Sequence, residues 1–208
     1  MPIKTPRTLD ELYLVDAQPG CARPLTPLWP TKGRTVAGTT PTPCSNLGFL
    51  SVHQEASGFV GGYLVTNAWG RPLEFRLSSA VQPNKVQTIL YGDTLQSYLC
   101  GEVIGKTLID KATTPVQWVL VDNPLSLDLR LRVEMPVGLW YTIADPDQPM
   151  PGLMVQSRLY CHVEFPDDVA ALRQQAEKLG QLDFGEPFAR IREAINEARK
   201  MGVTTRAA

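Results

Sequence analysis

Two stretches of this chain alternate apolar and polar residues with period two, and no other feature constrains the fold as tightly. Leu125, Leu127, Leu129, Leu131, Val133 and Met135 interleave with Ser126, Asp128, Arg130, Arg132 and Glu134. Leu153, Val155, Leu159, Cys161, Val163 and Phe165 interleave with Met154, Gln156, Arg158, Tyr160, His162 and Glu164. Successive side chains on a strand point to opposite faces, so each stretch reads as a strand with one buried and one wet side.

Around these two, further elements follow from punctuation and period. Residues 47–55, 59–66 and 73–78 read as strands, with Asn67-Ala68-Trp69-Gly70 as turn chemistry between the last two. Gly61-Gly62 inside the second strand points to a bulge or to a close approach of another backbone. Pro83-Asn84 opens a helical region, and Asp93 is placed to cap a helix over 94–111 that is apolar on most sides. The apolar run 116–121 suits a central strand. After Pro166, Val169, Leu172, Ala176 and Leu179, then Phe188, Ile191, Ile195 and Ala198, recur at helical spacing on two charged helices.

The expected fold is therefore α+β. It has a mainly antiparallel sheet of about six strands, one central helix packed on it, and a C-terminal helical hairpin. Residues 1–45 read as a Pro-rich extended arm, 46–166 as the core domain and 167–203 as the two-helix segment. The element order is similar to longin or roadblock-type folds, in which a helix crosses one face of an antiparallel sheet. That likeness is one of order alone, with no shared motif.

Composition excludes some functions. Hydrophobic residues make up 43% of the 208, enough for a core, and the net charge of −1 provides no global field toward nucleic acid or anionic lipid. The start Met1-Pro2-Ile3-Lys4-Thr5-Pro6-Arg7 lacks the apolar run of a signal peptide, and no segment approaches bilayer length, so a cytoplasmic protein is expected. Cys21, Cys44, Cys100 and Cys161 are scattered without a CxxC pair. Reduced thiols follow, with Cys161 a small core residue.

Candidate sites are few. Glu102 and Lys106, four apart on the helix, fall in the sector of Leu95, Leu99 and Ile109, and form either a buried ion pair or an edge pair that reaches solvent. His53-Gln54-Glu55 and His162-Val163-Glu164 each put a histidine and a carboxylate on one strand face. Two such pairs on neighbouring strands would be needed for a metal, so neither metal nor cofactor is assigned. Asp145 and Asp147 lie in a long connection between Pro136 and Gly152 that also holds Trp140 and Tyr141. Gly58-Phe59-Val60-Gly61-Gly62-Tyr63 offers an aromatic strand face of the kind that stacks RNA bases, without the leading basic residue. The mixed charge around Arg130, Arg132 and Arg158 suits a protein partner better than phosphates.

The sequence thus points to a non-catalytic protein-interaction subunit or adaptor of a larger cytoplasmic assembly. Its partner would be another protein or a second copy, met through Trp29 of the arm, Trp140, Tyr141, Arg130, Arg132, Arg158, Tyr160 and His162. The alternatives are a hydrolase or nuclease using Asp145, Asp147 and His162, and a single-stranded nucleic-acid-binding module.

Overall fold

The structure is a computed structural model that describes residues 13–15, 46–142, 157–179 and 182–201. The arm 1–45, apart from 13–15, lies outside the described residues, and so do Trp29, Cys21, Cys44, Asp145 and Asp147.

The strands are β1 (Tyr13–Val15), β2 (Leu47–Glu55), β3 (Gly58–Thr66), β4 (Pro72–Leu77), β5 (Trp118–Val121), β6 (Val137–Thr142) and β7 (Ser157–Cys161). They form one sheet in the order β1-β7-β6-β5-β2-β3-β4. The sheet is mixed, which corrects the expectation of a mainly antiparallel one: β2 pairs in parallel with β5, and β5 in parallel with β6. The causes are two crossovers, the helical connection between β4 and β5 and residues 122–136 between β5 and β6, each of which carries the chain back before it re-enters the sheet. That connection comprises α1 (Lys85–Tyr91), a 3-10 turn, α2 (Leu95–Ser97), a π-helical stretch Tyr98–Lys106 and α3 (Thr107–Lys111). Asn84 and Gln87 close a reciprocal capping box at the start of α1.

Both faces of the sheet are covered. On one, Leu50, Val52, Tyr63, Val119, Val121 and Leu139 pack with Leu99, Ile104 and Leu108 of the α2–π–α3 run. On the other, Leu47, Phe49, Leu64 and Leu120 pack with Leu172 of α4 (Asp168–Leu179) and Phe188, Ile191 and Ile195 of α5 (Glu186–Lys200). Every residue of β3 and β5 is buried, as a strand covered on both sides requires. The two C-terminal helices therefore share their apolar stripes with the core sheet.

The stretch 125–135 is not a strand. Residues Pro124–Leu131 form a 3-10 helix, entered through Pro124 and capped by Asn123, whose side chain accepts from the Leu125 N–H. Over 125–132, Leu alternating with Ser, Asp and Arg carries the period of a strand but none of its β-branched residues, and Leu is a good helix former. Leu127 and Leu129 enter the core, and Ser126 is buried with them, which strict period-two burial would forbid. In the second stretch only Ser157–Cys161 is strand among the described residues. A turn then closes at Phe165, whose N–H donates to the His162 carbonyl.

Gly61 and Gly62 explain how the two helical layers come so close. A Cβ on Gly61 would stand 2.3 Å from Ile104 Cγ2, and one on Gly62 2.6 Å from Ile191 Cγ2. The adjacent glycines thus open the sheet once on each face. The irregular register on this strand lies elsewhere, at Val65/Thr66. At the outer edge, Glu74 of β4 accepts from the Thr113 and Thr114 N–H groups and from Arg76 Nε. Burial pushes its carboxyl up, but the Thr114, Arg76 and Thr113 bonds outweigh that and leave it at about 2.

The glycine contact yields a test. Gly61→Ala must push Ile104 off its seat, so it is expected to lower stability by about 1–3 kcal/mol, read as a fall in the urea midpoint. A wild-type midpoint would contradict the close approach.

Candidate functional site

On β2 the row facing α5 changes character along its length. Leu47 and Phe49 are buried against α5, with the Phe49 and Phe188 rings edge to face at 5.5 Å. The next residues on that face are Ser51, His53 and Glu55. The parallel register Leu50↔Val121 sets Ser51 beside Asp122, the residue that follows β5. The result is a cluster at the carboxyl ends of two parallel strands. There the chain leaves β2 toward β3 on one side and β5 toward β6 on the other. In open α/β sheets ligands bind at such a switch of strand order.

Ser51 Oγ is fully buried, 2.5 Å from Asp122 Oδ2 and 3.0 Å from His53 Nε2. Arg192 of α5 donates to the same Oδ2 at 3.0 Å, and Asp122 Oδ1 is buried without a partner. Further along, Arg199 pairs with Glu55 at 2.7 Å. The helix runs along the strand, from Phe188 over Phe49 to Arg199 over Glu55. Its position comes from Pro187 in the first turn and the stripe Phe188, Ile191, Ile195. Burial pushes the Asp122 carboxyl above the usual aspartate range, against the pull of Ser51, His53 and Arg192.

In chemical terms, serine is the middle member of this cluster. A serine nucleophile needs histidine as its base and an open approach, whereas Ser51 gives its hydrogen to a carboxylate and is closed off. Histidine is the member with a free side. Among the described residues no group of His, Cys, Asp and Glu is placed to hold a metal ion. The two H-x-E pairs do not meet, because β5 and β6 stand between β2 and β7.

The residues singled out from sequence fall elsewhere. Arg130 and His162 meet at the Phe165 ring, inside the protein. Arg130 grips Asp168 through Nε at 2.5 Å and Nη2 at 3.2 Å, donates from Nη1 to the Val133 carbonyl, and lies 4.0 Å over the Phe165 ring. Tyr160 is part of the core. His162 is 1% exposed; its Nδ1 accepts from the Glu164 N–H, and its Nε2 lies 3.5 Å from Asp128 Oδ1. That corrects its placement on a wet face and removes it from the proposed Asp145, Asp147 and His162 group. Trp140 packs edge on against Phe184 at 5.1 Å. Tyr141 and Arg158 are opposite one another in the β6–β7 register.

Glu102 and Lys106 are not a pair. Glu102 bonds Arg132 at 2.9 Å, Lys106 bonds Asp110 at 2.6 Å, and all four reach solvent. The aromatic strand face is unavailable for bases, since Phe59 and Tyr63 are buried in the core under the π-helical run. Burial holds the Cys100 thiol at about 12, helped by Asp128, and Cys161 at about 11, helped by Asp168. Ser51, Asp122 and Arg192 were missed from sequence. Their signal was the break in the apolar face of β2 after Phe49, and one carboxylate closing the run before Asn123.

No family model matches the chain, and no curated protein does. Among solved structures, endonuclease V of Ciona intestinalis in complex with a 23mer DNA is similar over 69% of this chain and 60% of that chain, at 12% identity and a TM-score of 0.29. Argonaute of Marinitoga piezophila with a 5′ OH guide RNA is similar over 62% of this chain and 25% of that chain, at 10% identity and a TM-score of 0.29. The chain spans less than two thirds of either, and at such scores the likenesses bear no functional weight.

The internal ion pair can be tested. Arg130→Met leaves Asp168 charged, buried and uncompensated, and is expected to cost about 3–5 kcal/mol in a urea melt. Adding Asp168→Leu should recover most of that loss. Equal losses in the single and double variants would contradict the pairing.

Proposed function

We propose that the chain works by docking on protein, as a subunit or adaptor of a larger cytoplasmic assembly. One observation carries this reading. Helix α1 has no buried residue, yet Val86, Ile89 and Leu90 form an apolar stripe at spacings of three and four and are 62%, 71% and 75% exposed. A surface helix normally turns such a stripe to the core. Here the core side of the sheet is already filled by α2, the π-helical run and α3. The only charged residue within α1 is Lys85, so the stripe is not guarded by charge. Trp69, 81% exposed, and Leu73 and Phe75 on the edge strand β4 add a second apolar surface. An edge strand can take an added strand from a partner.

A second reading, a hydrolase, is favoured by the Ser51, His53 and Asp122 cluster at the switch of strand order. It would use His53, in place of the buried His162 expected from sequence.

Docking is tested by placing a photo-reactive phenylalanine analogue at position 89 and, as a control, at exposed position 177 on α4. Irradiation in the protein's own cell is expected to give a discrete protein adduct from position 89 and none from 177. Equal adducts, or none from 89, would overturn the reading.

A further inference from the structure

We propose that His53 is the proton-accepting group of a ligand site at the carboxyl ends of β2 and β5. Its ligand would bring a hydroxyl group or bound water beside an anionic oxygen. This inference goes beyond the docking reading and does not depend on it.

It rests on where each hydrogen can go. A guanidinium only donates, so Asp122 Oδ2 accepts from Arg192 Nη1. The Ser51 hydroxyl has one hydrogen and lies within reach of both Asp122 Oδ2 and His53 Nε2. With Asp122 ionised, the hydroxyl gives its hydrogen to the carboxylate. His53 must then donate from Nε2 to Ser51 Oγ, and Nδ1 is left bare. Nδ1 has no partner among the described residues, and His53 is only half-buried. A proton on Asp122 would run the relay the other way and place a hydrogen on Nδ1. Burial pushes the Asp122 carboxyl up, while the Ser51 bond and the Arg192 pair work against it; the relay takes the ionised carboxylate that these two contacts favour, and hence the bare Nδ1.

A bare Nδ1 on a half-buried ring can take a proton. In that step an O–H bond of the ligand breaks and an N–H bond forms at Nδ1. The positive charge that results on the ring is stabilised through Ser51 by the Asp122 carboxylate, and the reverse step returns the proton. Ser51 and Asp122 act as positioning residues, since neither touches the ligand. Arg192 supplies the second contact. It spends one nitrogen on Asp122, its side chain is half exposed, and the rest of its fork has no partner among the described residues. Arg192 would hold an anionic oxygen of the ligand and His53 Nδ1 its hydroxyl, the two side chains being joined through Ser51 and Asp122. Inorganic phosphate near neutrality carries both groups and is the natural probe.

Two measurements on the intact protein decide the matter. In the two-bond proton–nitrogen spectrum of the imidazoles, His53 is expected as the Nε2–H tautomer. Ser51→Ala should shift that signal and leave His162, whose Nδ1 is held by the Glu164 N–H, unmoved. Diethyl pyrocarbonate should modify one histidine per chain, His53, because His162 is buried. Inorganic phosphate should slow that modification severalfold in wild type and not in Arg192→Gln. An Nδ1–H tautomer in wild type would overturn the relay. Modification of His53 that phosphate does not slow would overturn the anionic ligand.

Discussion

The parallel pairing of β2 with β5 is the contact on which the rest of the molecule depends. It brings Ser51 beside Asp122, and it requires the helical crossover that buries one face of the sheet. A shift of one residue in that register would turn Ser51, His53 and Glu55 to the opposite face, under the π-helical run. Leu50 and Val52 would then face α5 in their place. Few other single changes would rearrange both the core and the polar row.

The second constraint is the absence of side chains at Gly61 and Gly62. Because Ile104 and Ile191 descend into those two gaps, the helices on either face lie close to β3. On the α5 side this fixes the helix along β2, with Arg192 and Arg199 over Asp122 and Glu55. The polar row is therefore held by packing at one end and by ion pairs at the other. Two internal polar sites among the described residues have different prospects. Arg130 and Asp168 pair inside the fold, with His162 Nε2 buried near Asp128 and without a hydrogen bond, whereas among the described residues the row on β2 leaves one imidazole nitrogen and most of one guanidinium without a partner.

Much of the layout was legible in the residues themselves. Strand β2 occupies the expected 47–55, β3, β4 and β5 fall within two residues of their expected bounds, and the stripes of α4 and α5 mark real helices. What failed was period two at 125–135. Leucine suits either element, and the decision went to Pro124 and Asn123, which start a 3-10 helix whatever the alternation that follows. Layering was also hidden. Alternation suggests one wet face, while the fully apolar stretches of β3 and β5 already told of a sheet covered twice. The polar row was hard to find because its members lie some 70 residues apart or more, from β2 to Asp122 to α5, and only the parallel pairing joins them. His53 was visible as half of an H-x-E pair, but its partners turned out to be a serine and an aspartate.

Backbone contacts between β2 and β5 test the pairing most directly, through interstrand proton–proton Overhauser effects over 47–50 and 118–121. Parallel pairing predicts contacts from α-protons of one strand to amide protons of the other, with no α-proton to α-proton contacts between them. Strong α-to-α contacts across these residues, or no contacts at all, would contradict it. Ser51 and Asp122 would then have no reason to meet.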